Sequence, residues 1–215
     1  MQTITLKHTL PLVFAQQADI KSDIWRQEVS LERGKFYLIE AASGTGKSSL
    51  CSYLQGYRRD YEGEIRFDDR DTRSLSVGEW ARIRQKSIST LHQELRLFPE
   101  LSTWDNIQIK NNLSGGFRKD SEIRDWLETL GIADKAEEKT GRMSFGQQQR
   151  VALIRALVQP FDFLLADEPV SHLDDTNASL VGDILSAEAK RQGAAVIVTS
   201  IGKHMNLPYD KTFHL

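Results

Sequence analysis

The chain has 215 residues, with 28 Lys+Arg against 30 Asp+Glu and a formal net charge of −2. Hydrophobic residues at 40% and charged residues at 27% are the proportions of a folded domain, which excludes a disordered or collagen-like chain. No apolar run approaches the roughly 20 residues needed to cross a bilayer, and the near-neutral balance offers no global attraction for nucleic acid. Cys51 is the single cysteine, so an intramolecular disulfide and a cysteine-based zinc site are excluded, and the expected compartment is reducing.

In chain order, Thr3 to Leu6 alternates as a half-exposed antiparallel strand does. Lys7 and the stretch Thr9 to Ala15 loosely resemble a short signal peptide, but read more simply as an initial strand pair broken at Pro11. Phe36 to Glu40 is a compact apolar run, too short for a typical helix and suited to a buried central strand. Glu64 to Phe67 alternates again. From Leu91 to Val158 the spacing turns helical. Ser121 is placed to cap a helix with Ile123, Trp126, Leu127 and Leu130 on one face, Gly131 stands at its end, and Gln147 to Val158 forms another helix. Asn111 to Gly116 and Ala133 to Gly141 are polar, punctuated stretches that read as loops or helix ends. Phe161 to Ala166 and Ala194 to Thr199 are further buried strands, and the alternation of strands with helical segments predicts an α/β fold around a parallel sheet.

The segment Ala41-Ala42-Ser43-Gly44-Thr45-Gly46-Lys47-Ser48-Ser49, between the Phe36 to Glu40 strand and an apolar helix start at Leu50, nearly fits the phosphate-binding P-loop. Phosphates need converging backbone N–H groups, a helix N-terminus and a reaching cation. Gly44 and Gly46 permit the approach, Lys47 supplies the cation, and Ser48 can place a hydroxyl on Mg²⁺. Ala41 replaces the pattern's first glycine, at a cost of about 1–2 kcal/mol if that position is left-handed. A second segment, Phe161 to Glu168, is an apolar strand ending in two carboxylates, the Walker B form. Asp167 is suited to hold Mg²⁺ through water, and Glu168 to polarise the attacking water as general base.

With these segments the chain resembles the ATP-binding cassette (ABC) ATPases over nearly its whole length. Met143-Ser144-Phe145-Gly146-Gln147-Gln148-Gln149-Arg150 looks like the family signature Leu-Ser-Gly-Gly-Gln. The resemblance implies that Ser144, Gly146 and Gln147 meet a nucleotide held by the opposite subunit. Phe145 departs from the pattern. Leu113-Ser114-Gly115-Gly116 copies the signature's first four residues but lacks the glutamine-rich helix, and reads as a loop. Gln93 stands where the family has its Q-loop, sensing Mg²⁺ and water, and the adjoining Leu97 to Ile107 would form a groove for a coupling helix of a transmembrane partner. Ser171-His172-Leu173-Asp174 looks like the D-loop, with Asp174 near the dimer interface. At the family's H-loop histidine this chain has Ser200; His204, four residues on, reads as a surface histidine. Phe14 and Trp25 are candidates for stacking on adenine, or for core packing.

The resemblance implies a P-loop NTPase core with an antiparallel β subdomain and an inserted helical subdomain. The expected division is a single ABC domain over 1–215, with core 1–90 and 159–215 and helical subdomain 91–158. It is most like the lipoprotein-release, macrolide-efflux and cell-division subgroup. The implied function is an ATPase subunit that closes as a homodimer, or with a paralogous subunit, around two Mg-ATP. It would drive a separate permease from the cytoplasmic face of the membrane. The alternative is a degenerate or regulatory subunit with weak turnover, motivated by Ala41, Phe145 and Ser200. A soluble ABC protein acting on DNA or the ribosome is disfavoured: Lys47 and Asp167 are only 120 residues apart, with no room for a long coiled coil, and no basic stripe is present.

Overall fold

The structure is a computed structural model that describes residues 1–17 and 19–215. In chain order the elements are β1 (Thr3–Pro11), β2 (Glu28–Glu32), β3 (Phe36–Glu40), α1 (Lys47–Leu54), β4 (Tyr61–Phe67), β5 (Arg70–Asp71), α2 (Val77–Lys86), β6 (Ile88–Leu91), α3 (Thr103–Leu113), α4 (Asp120–Thr129), α5 (Phe145–Leu157), β7 (Phe163–Asp167), α6 (Asp175–Gln192), β8 (Ala195–Ser200) and β9 (Lys211–His214). Two sheets result. One is antiparallel in the order β2-β1-β4-β5; the other is parallel in the order β6-β7-β8-β3-β9. The α/β class and the antiparallel subdomain expected from the sequence are both present.

The central parallel strands β3, β7 and β8 are buried on both faces, which is why they read as continuous apolar runs. Alternate residues feed two separate cores. Leu38, Leu164, Ala166, Val196 and Val198 face the helical side, against Ile107, Ile123, Val151, Ile154 and Leu185. Tyr37, Ile39, Phe163, Leu165 and Ile197 face Leu50, Tyr53 and Leu54 of α1 and the apolar side of the antiparallel sheet. The helix α1 is thus wedged between the two sheets, and its N-terminus is held against the ends of the parallel strands.

Several local expectations shift. Residues 3–11 form one strand ending at Pro11, not a strand pair; a bulge between Lys7 and Leu10 interrupts its pairing with β4. Gly63 sits opposite that bulge at φ +76, where a Cβ would lie 2.4 Å from the Lys7 carbonyl oxygen, so only glycine closes the ladder there. The helix expected to be capped by Ser121 begins at Asp120, with Lys119 in the cap position. Glu122 accepts the Lys119 N–H at 3.0 Å, which places Ser121 inside the first turn. The stretch from Asn111 to Gly116, read as a loop or a helix end, is a helix end: α3 runs to Leu113 and the turn starts at Ser114. The Asn111 carboxamide is buried and clamps Arg118 by accepting its N–H at 2.9 Å and donating to its carbonyl at 3.0 Å, which keeps α3 helical to Leu113. The Leu113 to Gly116 signature look-alike therefore closes a helix instead of opening one, and Gly115 and Gly116 take the left-handed conformations of such an ending.

Candidate functional site

Because β3, β7 and β8 are parallel, their C-terminal ends emerge on one edge of the sheet, where open α/β sheets place their ligands. Register does the rest: Glu40 lies opposite Ser200, and Asp167 opposite Thr199. The loop after β3 leaves with the Ala41 N–H donated to the Ser200 carbonyl at 3.0 Å. Ala41 lies outside the left-handed region, so the glycine missing from the pattern carries no backbone penalty here. Gly44 (φ 83) and Gly46 (φ 98) do use that region. Gly46 caps α1, and a Cβ on it would meet Phe14 at 2.9 Å and Trp25 at 3.1 Å.

Lys47, the first residue of α1, is buried and reaches across 120 residues of sequence to donate to Asp167 Oδ1 at 3.0 Å and to Glu168 Oε1. Burial works against its charge, but the hydrogen bonds to Glu168 and Asp167 outweigh it, and its pKa is raised. The Thr199 hydroxyl donates to the same Asp167 Oδ1, so this oxygen is fixed from two sides. Glu168 holds a left-handed φ of 47, unusual for a side chain of its size. Its N–H donates to the Thr199 carbonyl at 3.0 Å, and its own carbonyl accepts from Ser171 Oγ at 3.3 Å. Such strain, held by surrounding bonds, is characteristic of functional positions.

Lys47 and Glu168 open onto a cavity of about 390 Å³ lined also by Ser43, Gly44, Gly46, Ser48, Ser49 and Gln93, together with Val13, Phe14, Ala42 and Ile201. Ser49 also accepts from Arg58 at 3.1 Å. Thr45 faces away: its carbonyl accepts the Trp25 indole N–H at 2.8 Å. Of the two aromatics proposed to meet adenine, Trp25 is thereby a buried prop behind the loop, whereas Phe14 lines the cavity beside exposed Val13. Ser200 is buried, and its hydroxyl donates to the Lys203 carbonyl. His204 lies outside this cavity, 3.9 Å from Glu40 and edge-on to Tyr209, as a surface histidine.

The remaining sequence candidates gather elsewhere on the same chain. Ser144 caps α5 in a capping box, its Oγ accepting the Gln147 N–H at 3.3 Å while Gln147 accepts the Ser144 N–H at 3.0 Å. Asp174 caps α6 by accepting the Asn177 N–H at 2.8 Å, and this hydrogen bond holds its carboxyl below the usual range. Gly146 packs beside Leu173, where a Cβ would sit 3.6 Å away, so signature and D-loop form one surface. None of Ser144, Gly146, Gln147 and Asp174 lines the Lys47 cavity. Sequence reasoning missed Thr199, although a hydroxyl at the end of an otherwise apolar strand beside Walker B was a usable signal.

Fold and site together define a P-loop nucleotide-binding protein, with its phosphate loop at the end of β3 and paired carboxylates at the end of β7. The chain belongs to the ABC transporter family, whose model matches residues 26–171. It is 34% identical over 175 residues to the macrolide export ATP-binding/permease protein MacB of Rhodopseudomonas palustris, covering 80% of this chain and 27% of that protein. The lipoprotein-releasing system ATP-binding protein LolD of Porphyromonas gingivalis is 27% identical over 190 residues, 87% of each chain. The chain spans about a quarter of the MacB relative's length and most of LolD's. Among solved structures, the dimeric ABC transporter cassette MJ0796 superposes with a TM-score of 0.72 at 28% identity, covering 92% of this chain and 87% of that one. The same cassette is also known in a dimeric post-hydrolysis state bound to ADP and Pi, again with a TM-score of 0.72. Among the described residues no helix is long and apolar enough to cross a membrane.

Proposed function

We propose that this chain is the ATP-hydrolysing subunit of an ABC transporter that works as a head-to-tail dimer and drives a separate transmembrane permease from the cytoplasmic face of the membrane. The observation that carries this reading is the convergence of Lys47, Asp167 and Glu168 at the start of α1, on a cavity edged by Ser48 and Gln93. The left-handed Gly44 and Gly46 and the N-terminus of α1 make a cradle suited to the phosphates of ATP. Ser48, Asp167 and Gln93 offer the hard oxygen donors that Mg²⁺ prefers. Bound there, Mg²⁺ would neutralise charge on the terminal phosphates.

Lys47 then exchanges its carboxylate partners for phosphate oxygens, which frees Glu168 to accept a proton from water. Thr199 keeps Asp167 turned toward the metal position. Ser144, Gly146 and Gln147 stand apart from the Lys47 cavity, so they serve the nucleotide of a second copy, with Asp174 at the same interface; the dimeric MJ0796 cassettes support this. In this reading residues 1–90 and 159–215 form the nucleotide core and 91–158 the helical subdomain facing the permease. The names of the MacB and LolD relatives support transport as the purpose of hydrolysis.

Glu168→Gln tests the proposal. Steady-state ATP turnover is expected to fall about 10²–10⁴-fold while nucleotide binding persists. Unchanged turnover would remove Glu168 from the role of base. A wild-type chain that binds ATP without Mg²⁺-dependent turnover would favour the regulatory alternative.

A further inference from the structure

Hydrolysis by Lys47, Asp167 and Glu168 leaves one buried polar side chain of α5 without a role. Gln149 is 3% exposed; its Nε2 donates to the Pro169 carbonyl at 2.6 Å, and its Oε1 is buried with no hydrogen-bond partner. The partner settles which way the amide faces. A carbonyl can only accept, so the NH₂ group must point at Pro169 and the amide oxygen is left without a donor. An apolar side chain of similar length would fill the same place without burying an orphaned acceptor, so packing does not account for an amide here. What the amide alone supplies is the hold on Pro169.

Pro169 directly follows Glu168. The Glu168 N–H is bonded to the Thr199 carbonyl of β8 at 3.0 Å, and among the described residues the Pro169 carbonyl receives its only hydrogen bond from Gln149. Between those two points the planar peptide and the proline ring leave few free rotations. Left-handed Glu168 (φ 47) is thereby pinned on one side by the parallel sheet and on the other by α5. Ser171 Oγ adds a bond to the Glu168 carbonyl at 3.3 Å, but it lies in the same turn and cannot fix that turn against the rest of the fold. The same face of α5 continues along this segment, with the Phe145 ring on His172 and Gly146 beside Leu173. Of these contacts only that of Gln149 with Pro169 is a hydrogen bond, and it is the one adjacent to Glu168.

We propose that Gln149 is a positioning residue for hydrolysis: by holding the Pro169 carbonyl, its carboxamide keeps the Glu168 carboxylate aimed at the attacking water. The inference rests on the reading of Glu168 as general base and adds the group that sets its direction. It also makes the aim of the base depend on the placement of α5, the helix that Ser144 caps. Gln149 does not line the Lys47 cavity, so it acts on the water only through Glu168 and leaves the phosphate loop untouched.

The test compares Mg-ATP hydrolysis by wild type, Gln149→Met, Glu168→Gln and the double variant. Methionine keeps the length of the side chain and removes both the donor and the orphaned oxygen, so an undiminished Tm is expected. In Gln149→Met, kcat should fall about 10- to 100-fold, the usual consequence of a misplaced reacting group, while KM for ATP stays within about twofold of wild type. The double variant should be no slower than Glu168→Gln alone, because with the carboxylate gone there is nothing left to aim. A role in packing alone would instead multiply the two losses, and that result, or an unchanged kcat in Gln149→Met, overturns the proposal. Gln149→Leu, which also lacks the amide, gives the same reading should methionine pack badly; failure of both to fold would assign the amide to stability and overturn the proposal as well. Unchanged turnover in Glu168→Gln overturns the reading of Glu168 as base, whereas a normal Gln149→Met beside a slow Glu168→Gln overturns the role of Gln149 alone.

Discussion

Phe145 and His172 meet edge to face, with ring centroids 4.6 Å apart and planes at 81°, joining the first residue of α5 to the segment that precedes α6. Phe145 departs from the signature pattern, and His172 supplies the ring that it packs against. A double-mutant cycle on Phe145→Ala and His172→Ala should therefore show a coupling of about 0.5–1 kcal/mol, at the low end for aromatic pairs because both rings are exposed. Urea denaturation of the four proteins measures it. Additive effects would mean that the rings are merely neighbours.

Thr199→Val keeps the shape of the side chain but removes the hydroxyl that donates to Asp167. Loss of that bond should cost about 0.5–1.5 kcal/mol of stability and let the Asp167 carboxylate turn. The expected signature is a higher Mg²⁺ concentration for half-maximal ATPase activity, with Thr199→Ser close to wild type. A magnesium titration unaffected by valine would assign Thr199 to β8 packing alone.

Gly46→Ala places a methyl group 2.9 Å from Phe14 and 3.1 Å from the Trp25 ring, at a residue with φ 98. The backbone term alone is about 1–2 kcal/mol. Since Trp25 also holds the Thr45 carbonyl, displacing the ring disturbs the loop itself. Equilibrium nucleotide binding should weaken at least about tenfold, and Tm should fall, read by fluorescence titration and calorimetry respectively. Gly78→Ala, in the first turn of α2 with open space around it, is the control expected to leave both unchanged.

Lys110 gives stability a defined pH dependence. Its pKa is about 8 in the folded chain against 10.5 for the ordinary group, because burial and Arg155 disfavour the charged form, and the cavity that Lys110 lines holds Tyr57, His92, Arg96 and Arg155 but, among the described residues, no carboxylate. Between about pH 8 and 10.5 the unfolded chain therefore binds more protons than the folded one, so this group makes stability rise with pH across that window. Below about pH 8 the full penalty applies, roughly 1–3 kcal/mol after allowance for solvent screening. Lys110→Gln should raise stability at pH 7 and flatten this part of the profile, as followed by denaturant unfolding. A profile identical to wild type would show that the ammonium is well solvated.

The phosphate loop was legible in the sequence because its chemistry is local: glycines, lysine and serine act within one strand-loop-helix turn, and spacing alone reports that geometry. Walker B was legible for the same reason, as an apolar strand with acids at its end. Ser121 shows where local reading failed, since Ser, Lys and Asp all precede or enter the same helix, and only the Lys119–Glu122 bond decides which residue stands outside it. Trp25 and Phe14 were indistinguishable as aromatics upstream of the loop. The indole hydrogen bond to Thr45 separates a buried prop from a residue that lines the cavity.

The sequence by itself determined the α/β class, the nucleotide motif and the family, because short-range spacing and strand hydrophobicity encode them directly. Only the tertiary structure decided which side chains from distant segments share a site. Sheet order and register bring Lys47, Asp167, Glu168 and Thr199 together at the ends of three parallel strands, and turn Ser200 into the interior instead of toward the cavity. The cavity lined by Tyr57, His92, Arg96, Lys110 and Arg155 draws on α3, α5, the loop after β6 and the turn after α1, segments whose separation along the chain hides a charge imbalance that is absent from the net count of −2. Electrostatic interactions act through space and fall off with distance, so charge on this protein acquires meaning only once folding has fixed the distances.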